Sequence, residues 1–406
     1  MRSKPEKGLD EVGPEASPVT DEVAGRGRRI CFAIETLEMG GAENHAVTLA
    51  EYLARRGWQV VFAVMRRAGM LAQRCRDARI EVRDRLMPGR RGLGVGKRFG
   101  RLAAEWPFDT LFVIECFYLN ALIAYWVTKR RPGTRAYAII HNWPSRRQFS
   151  HPLLLRPRVA LMNRVFDRTI FISERQRRHY EQVLGIHFAQ TNVIASGVDV
   201  GRFVPATPAS DEDKKSKSEA GQVPLRVGIV ASLQPRKGHD YFLRAAAEIL
   251  RHRRDVEFLV IGDGPRRDEL RHLARNLNIE PNIEFLGLRG DVPDLLRSLD
   301  VLVLASHEAT GGHAETLPLV LMEAGATALP AVATNVGAVS EIVIEGQTGF
   351  LVPQRDFKAL AEKIERLLSD PRLRERMGRL ARERVVREFN ALSMCRRFEQ
   401  LFLTGQ

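Results

Sequence analysis

Cysteine is scarce in this 406-residue chain: Cys31, Cys75, Cys116 and Cys395 are widely scattered and form no CxxC pair. That excludes a disulfide framework and a zinc site, and it fits a reducing cytoplasm. Long apolar runs are missing too. The nearest candidate, residues 111–127, contains Glu115 and Asn120 and falls short of the roughly 20 residues that a membrane span needs. A strand followed by a helix accounts for it better. Residues 1–28 offer no apolar core for a secretory signal, and their six acidic residues exclude a transit peptide, so they read as a disordered tail. No D-x-D pattern occurs outside residues 211–213, which lie in a polar stretch (206–224) that reads as a flexible linker, so no metal site is expected. Helix-turn-helix, zinc-finger and RNP-like aromatic motifs are absent, which speaks against nucleic acid as a partner.

What the chain has is positive charge, unevenly placed. Residues 1–195 hold 33 Lys and Arg against 19 Asp and Glu, whereas residues 196–406 hold 30 of each. A basic half beside a neutral half implies two different partners. The basic residues concentrate in 88–101, a glycine-rich stretch without the Lys-Ser/Thr pair of a phosphate loop, and in 146–168, where arginine is mixed with Leu, Phe and Met.

The hydrophobic pattern alternates strand and helix. Residues 30–34 and 60–64 read as strands around a helix at 42–56, which Gly57 can stop. Further strands fall at 136–140, 225–231, 258–261 and 283–286. Helices fall at 241–250, in two segments over 357–389, and at the end of the chain to about Leu403. Most of the pattern is organised around residues 301–349. There an apolar run, VLVL, empties into a polar loop, a helical pattern covers 316–326, and a second apolar run at 331–334 opens into another glycine loop. This is the βαβ grammar of a parallel sheet, with polar loops gathered at strand carboxyl ends. Glu315 and Glu323 stand eight residues apart within it. Eight helical residues span about 12 Å and a little over two turns, which puts both carboxylates on one side at different depths. Thr316 fits an N-cap, and the amide donors of a helix start there suit a diphosphate.

This E-x7-E spacing, the preceding VLVLAS, the following NVGAVSEIVIEGQTGFLVP and the MGGAE loop together resemble the retaining glycosyltransferases of family four. The resemblance covers about residues 29–400. It implies two Rossmann-like domains facing a cleft, the GT-B fold: an acceptor-binding domain at 29–205, a nucleotide-sugar domain at 225–388, and a last helix, 389–406, that crosses back to the first domain. It also implies that Glu315 contacts the donor sugar, Glu323 the ribose and Lys237 the diphosphate, and that His141 reaches the sugar from the first domain. Gly40 and Gly41 would face the donor, as would Thr316 and Leu317, while Leu288 and Arg289 are candidates for the nucleobase. Ser232 stands where the family often has arginine, Ser196 where asparagine is usual, and Thr316 where glycine usually follows the first glutamate.

The activity implied is transfer of a sugar from a nucleotide-diphosphate donor to an acceptor hydroxyl, with retention and without a metal or other cofactor. Two rivals stand beside it: an inactive GT-B protein that binds membrane or nucleic acid, and another sugar-nucleotide enzyme such as an epimerase. The basic first half favours a glycan or lipid-linked acceptor at the cytoplasmic face of an anionic membrane. Each basic residue near such a surface contributes on the order of 1 kcal/mol. Sedimentation should show binding to anionic but not neutral vesicles, lost in salt and weakened when Arg90, Arg91, Lys97 and Arg98 are neutralised. Equal partitioning to both vesicle types, or to neither, would sink this expectation.

Overall fold

The computed structural model describes residues 25–38, 40–87, 94–114, 118–143, 152–206, 223–310 and 312–405. The tail, most of the 206–224 linker, residues 88–93 of the basic 88–101 stretch and residues 146–151 of the basic 146–168 stretch lie outside these residues. Two parallel sheets organise the rest.

The first sheet contains β1 (Arg29–Ile34), β2 (Gln59–Val64), β3 (Glu81–Arg83), β4 (Thr110–Ile114), β5 (Arg135–Ile140), β6 (Arg168–Phe171) and β7 (Thr191–Val193). Its strand order is β3-β2-β1-β4-β5-β6-β7. The second contains β8 (Leu225–Val230), β9 (Val256–Ile261), β10 (Ile283–Gly287), β11 (Val301–Leu304), β12 (Ala331–Thr334) and β13 (Gly349–Val352), in the order β10-β9-β8-β11-β12-β13. All pairings are parallel. The two sheets therefore repeat one doubly wound order. That order reverses between β1 and β4 in one and between β8 and β11 in the other, and at such a reversal the crossovers part and leave a crevice.

Sequence explains the strands simply. The central ones are uninterrupted apolar runs because helices cover both faces, and β11 is buried at every residue. The helix Gly41–Arg55 turns Ala46, Leu49, Ala50 and Leu53 inward, and the chain leaves it at Gly57 with φ of 85°.

The last helix, Ala391–Thr404, packs on the first sheet although it follows the second in the chain. Phe398 and Phe402 are fully buried and pack edge-on against Phe112, with ring centroids at 5.5 and 5.3 Å. Between them in the chain, the buried Glu399 carboxylate accepts hydrogen bonds from Tyr52 Oη (2.9 Å), Trp58 Nε1 (3.1 Å) and Arg56 Nε (3.3 Å). Where the chain crosses over, Val198 N–H donates to Phe389 C=O and Ala391 N–H to Val198 C=O. The Arg382 guanidinium also donates to the carbonyls of Phe203 and Val200. On the other side of the cleft, the Glu341 carboxylate accepts from Ser173 Oγ (3.0 Å) and from Arg175 N–H (2.6 Å).

Phe398→Ala should cost about 3–5 kcal/mol of stability, because a cavity opens where the last helix meets the sheet. Chemical denaturation measures this, and a loss below about 1 kcal/mol would show that the helix is not anchored there.

Candidate functional site

A cavity of about 570 Å³ lies between the carboxyl ends of the two sheets. Its second-domain wall includes residues 229–232 at the end of β8 and 303–306 at the end of β11, the switch point of that sheet, together with Arg236, Lys237 and residues 314–320. The first domain contributes Gly40, Gly41 and Glu43 after β1, His141 after β5, Ile172 after β6 and Ser196 after β7. Of the residues singled out from sequence, Gly40, Gly41, His141, Ser232, Lys237, Glu315, Thr316 and Leu317 line this one cavity.

The other three do not line it. Leu288 is largely exposed beyond β10, and Arg289 is taken up by Asp291, Nε to Oδ1 at 2.7 Å. β10 is the outermost strand on its side of the sheet, two places from β8 at the switch point. Glu323 sits on the helix Leu319–Ala326. That helix also corrects the expected start at Thr316. A residue before proline is pushed out of the α region, so Leu317 cannot open a helix, and the N-cap is Pro318 in extended backbone. Thr316 is therefore not a cap. The helical geometry that would place both glutamates on one side does not apply to Glu315, which lies four residues before the first helical turn.

Glu315 is instead fixed by its own backbone. Ala338 N–H donates to its carbonyl at 3.1 Å, and Gly337, with φ of 55°, lies so close that a β-carbon there would come within 1.7 Å of that oxygen. Only glycine meets both demands. Lys237 is presented in a similar way. It ends the short 3-10 turn Pro235–Lys237, and Gly238 follows with φ of 68°, where a β-carbon would come within 1.9 Å of Ala305 C=O.

The two side chains meet. Lys237 Nζ donates to Glu315 Oε1 at 2.5 Å, Ser306 Oγ to the same oxygen at 2.7 Å, and Arg236 Nη1 at 3.4 Å. Burial of Glu315 opposes its ionisation, but the Lys237 and Arg236 charges and the hydrogen bonds from Lys237 and Ser306 outweigh it, holding the carboxyl below its usual range. Glu315 is thus an anion set against two cations in a partly desolvated wall. Arg236, Ser306 and Gly337 escaped the reading of sequence, although the arginine next to Lys237 was a visible signal.

Facing this cluster, buried His141 packs edge-on against His45, with ring centroids at 4.8 Å, and His45 Nδ1 lies 3.0 Å from Ser196 Oγ. Burial, with His45 alongside, keeps His141 neutral well below the ordinary imidazole value. Burial likewise lowers His45 to about 3. Across the cavity, a β-carbon on Gly41 would sit 3.6 Å from the Leu319 side chain, so the two walls come within van der Waals reach there. Glu43 closes the first turn of its helix over Gly40, and burial raises its carboxyl pKa against hydrogen bonds from its own backbone and Thr36. Among the described residues, no cluster of three His, Cys, Asp or Glu could hold a metal ion.

Two parallel α/β domains with their switch-point crevices face to face define a GT-B glycosyltransferase fold. Residues 210–384 match the family model for glycosyl transferases group 1, and residues 39–202 match that for glycosyltransferase family 4. The chain belongs to this family. A GDP-mannose-dependent monoacylated alpha-(1-6)-phosphatidylinositol monomannoside mannosyltransferase of Corynebacterium glutamicum is 31% identical over 228 residues, 55% of this chain and 58% of that protein. The UDP-Gal:alpha-D-GlcNAc-diphosphoundecaprenol alpha-1,3-galactosyltransferase of Escherichia coli is 27% identical over 52% of this chain and 54% of its own length. The matched stretches thus span little more than half of these relatives. In fold, the chain is similar to Anabaena HepE in complex with UDP, with a TM-score of 0.76 and 23% identity over 92% of this chain and 98% of that one.

Glu323, outside the cavity lining, carries a pH signature of its own. Burial pushes its carboxyl up from 4.5 to about 7, with only the Arg202 charge opposing. A folded-state pKa above the unfolded value contributes stability that is complete below about 4.5 and lost as pH rises through about 7. Glu323→Gln should therefore gain on wild type in denaturation midpoint between pH 5 and pH 8, by about 1 kcal/mol or more. A pH-independent difference would mean that the carboxylate is solvated in the folded protein.

Proposed function

We propose that the chain transfers a sugar from a nucleoside-diphosphate donor, held by the second domain, to a hydroxyl of a glycan or lipid-linked acceptor held by the first, with retention of configuration. One observation carries the reading: Lys237, Arg236 and Glu315 converge at the β8–β11 switch point, opposite the Gly40–Gly41 turn. As the bond from the anomeric carbon to the diphosphate oxygen breaks, negative charge grows on the leaving diphosphate. Lys237 and Arg236 stand ready to meet it from a partly desolvated wall, with no metal called for in this reading. The three donors to Glu315 all fall on Oε1, which leaves Oε2 to accept from hydroxyls of the donor sugar. Neutral His141 can hydrogen-bond the sugar from the opposite wall. Glu323 is suited to a ribose diol, whose two donors would offset the cost of holding a carboxylate there.

Retention follows a front-face course in this reading. The acceptor oxygen bonds to the anomeric carbon on the face that the diphosphate leaves, and the acceptor proton passes to a departing diphosphate oxygen. Glu315, tied to two cations, is a poor nucleophile, so catalysis rests on positioning and electrostatic stabilisation.

The relatives support the partners. The Corynebacterium protein acts on a phosphatidylinositol mannoside and the E. coli protein on a diphosphoundecaprenol glycan. A lipid-linked acceptor at the cytoplasmic face of an anionic membrane fits the basic first half, and none of the described helices is long and apolar enough to cross the bilayer. The inactive-binder alternative finds no support, since Lys237 and Glu315 are both present and paired at the cavity wall.

Glu315→Gln should fold normally and lower kcat by about 100-fold or more, with loss of an interaction that strengthens in the transition state. Donor turnover at saturating acceptor checks it, and an unchanged kcat would remove Glu315 from the mechanism.

A further inference from the structure

A second cavity, of about 630 Å³, opens on the first domain at the carboxyl ends of its outer strands. Four of its seven lining residues are arginines: Arg66 and Arg67 follow β2, Arg85 follows β3, and Arg98 lies on the helix Val95–Glu105. Register pairs Ile34 with Val64 and Ala63 with Arg83, so these residues leave the sheet at the same edge as the Gly40 loop. The two cavities are neighbours. Thr36 lines the arginine cavity, and its hydroxyl donates at 3.5 Å to Glu43, which lines the interdomain one.

We propose that Arg66, Arg67, Arg85 and Arg98 form an anion site that receives a phosphate or diphosphate group of the acceptor. Resting on the sugar-transfer reading, it assigns that acceptor a chemical class.

Two observations carry the assignment. The first is backbone geometry. Arg85 adopts φ of 57°, the left-handed region that favours glycine and strains any other residue. It is held there from both sides: Arg85 N–H donates to Arg66 C=O at 2.7 Å, and Arg98 Nη1 donates to Arg85 C=O at 3.1 Å. Three of the four arginines are thereby tied into one unit around a strained residue. A glycine would relieve that strain and would supply no guanidinium.

The second is unspent charge. Arg66 is paired with Glu35 at 2.7 Å, and Arg85 has Asp84 only at 3.9 Å. Arg67 and Arg98 have no carboxylate within ion-pair distance among the described residues, and Glu38 is the single acid in the lining. Planar guanidinium forks match phosphate oxygens bidentately. The donor diphosphate is met across the cleft by Lys237 and Arg236, so this cluster serves a different anion. A phospholipid headgroup carries the same chemistry, and the test must separate the two sources.

Inorganic pyrophosphate is titrated into the full chain carrying Lys237→Ala, which removes a donor-side cation, and into the same chain with Arg67→Gln and Arg98→Gln added. Pyrophosphate should bind the first and bind the second about ten-fold or more weakly. Equal affinity, or no binding to either, overturns the site. In the wild-type background the same arginine pair should leave nucleoside-diphosphate affinity unchanged. An equal loss there would assign the arginines to the donor and overturn the proposal. Pyrophosphate binding through the arginines in a chain that binds no nucleoside diphosphate would keep this site while removing the sugar-transfer reading. Vesicles of phosphatidylglycerol in phosphatidylcholine separate the sources: if the substitutions abolish vesicle binding but spare pyrophosphate, the arginines serve a membrane surface and the proposal falls. Arg85→Gly should leave the melting midpoint unchanged or higher while weakening pyrophosphate, and wild-type affinity in that variant would take Arg85 out of the site.

Discussion

The whole arrangement depends on the return of the last helix to the first sheet. Without Ala391–Thr404 seated on that sheet, the domains would share far less surface, and the cavity between them would have no set width. Apolar burial supplies most of the attachment, through Phe398 and Phe402 against Phe112. Glu399 supplies specificity. A buried carboxylate is costly unless its oxygens are satisfied, and Tyr52, Trp58 and Arg56 satisfy them only when the helix is in this register.

The same logic works at the site with the opposite outcome. Glu399 is surrounded by donors that bind the helix permanently, whereas Glu315 is paired with cations that a diphosphate would also attract. Burial raises the energy of every unpaired charge in that wall, so Lys237 and Arg236 are held by Glu315 until another anion arrives. Backbone contact, through Ala338 and Gly337, keeps the carboxylate in place in either state. The cavity walls thus divide the work: cations and carboxylate on the second domain, neutral histidines and a glycine turn on the first.

Charge asymmetry has a structural counterpart. The excess of lysine and arginine in residues 1–195 is not spread evenly as solubilising charge, because one group of arginines is gathered at the strand ends beside the cleft. Its position next to Thr36 and Glu43 links the basic character of the first half to the place where an acceptor would lie.

Much of this was legible in the chain itself. The apolar runs at 30–34, 60–64, 136–140, 225–231, 258–261, 283–286 and 331–334 lie within two residues of β1, β2, β5, β8, β9, β10 and β12, whereas β3, β6, β7 and β13 have no counterpart among the strands legible in the sequence. The pairing of Lys237 with Glu315 was legible only as two separate motifs 78 residues apart. Local propensity misled at Thr316, where the restriction that Pro318 places on Leu317 delayed the helix. Leu288 and Arg289 follow β10, the outermost strand on its side of the sheet, and lie outside the cavity lining. What sequence alone determined was the doubly wound architecture, two-fold over, and the identity of the charged residues. Strand order, and the docking of the last helix, decided which of those charges meet, since distances across a cleft are set by packing between segments that have no neighbourhood in the chain.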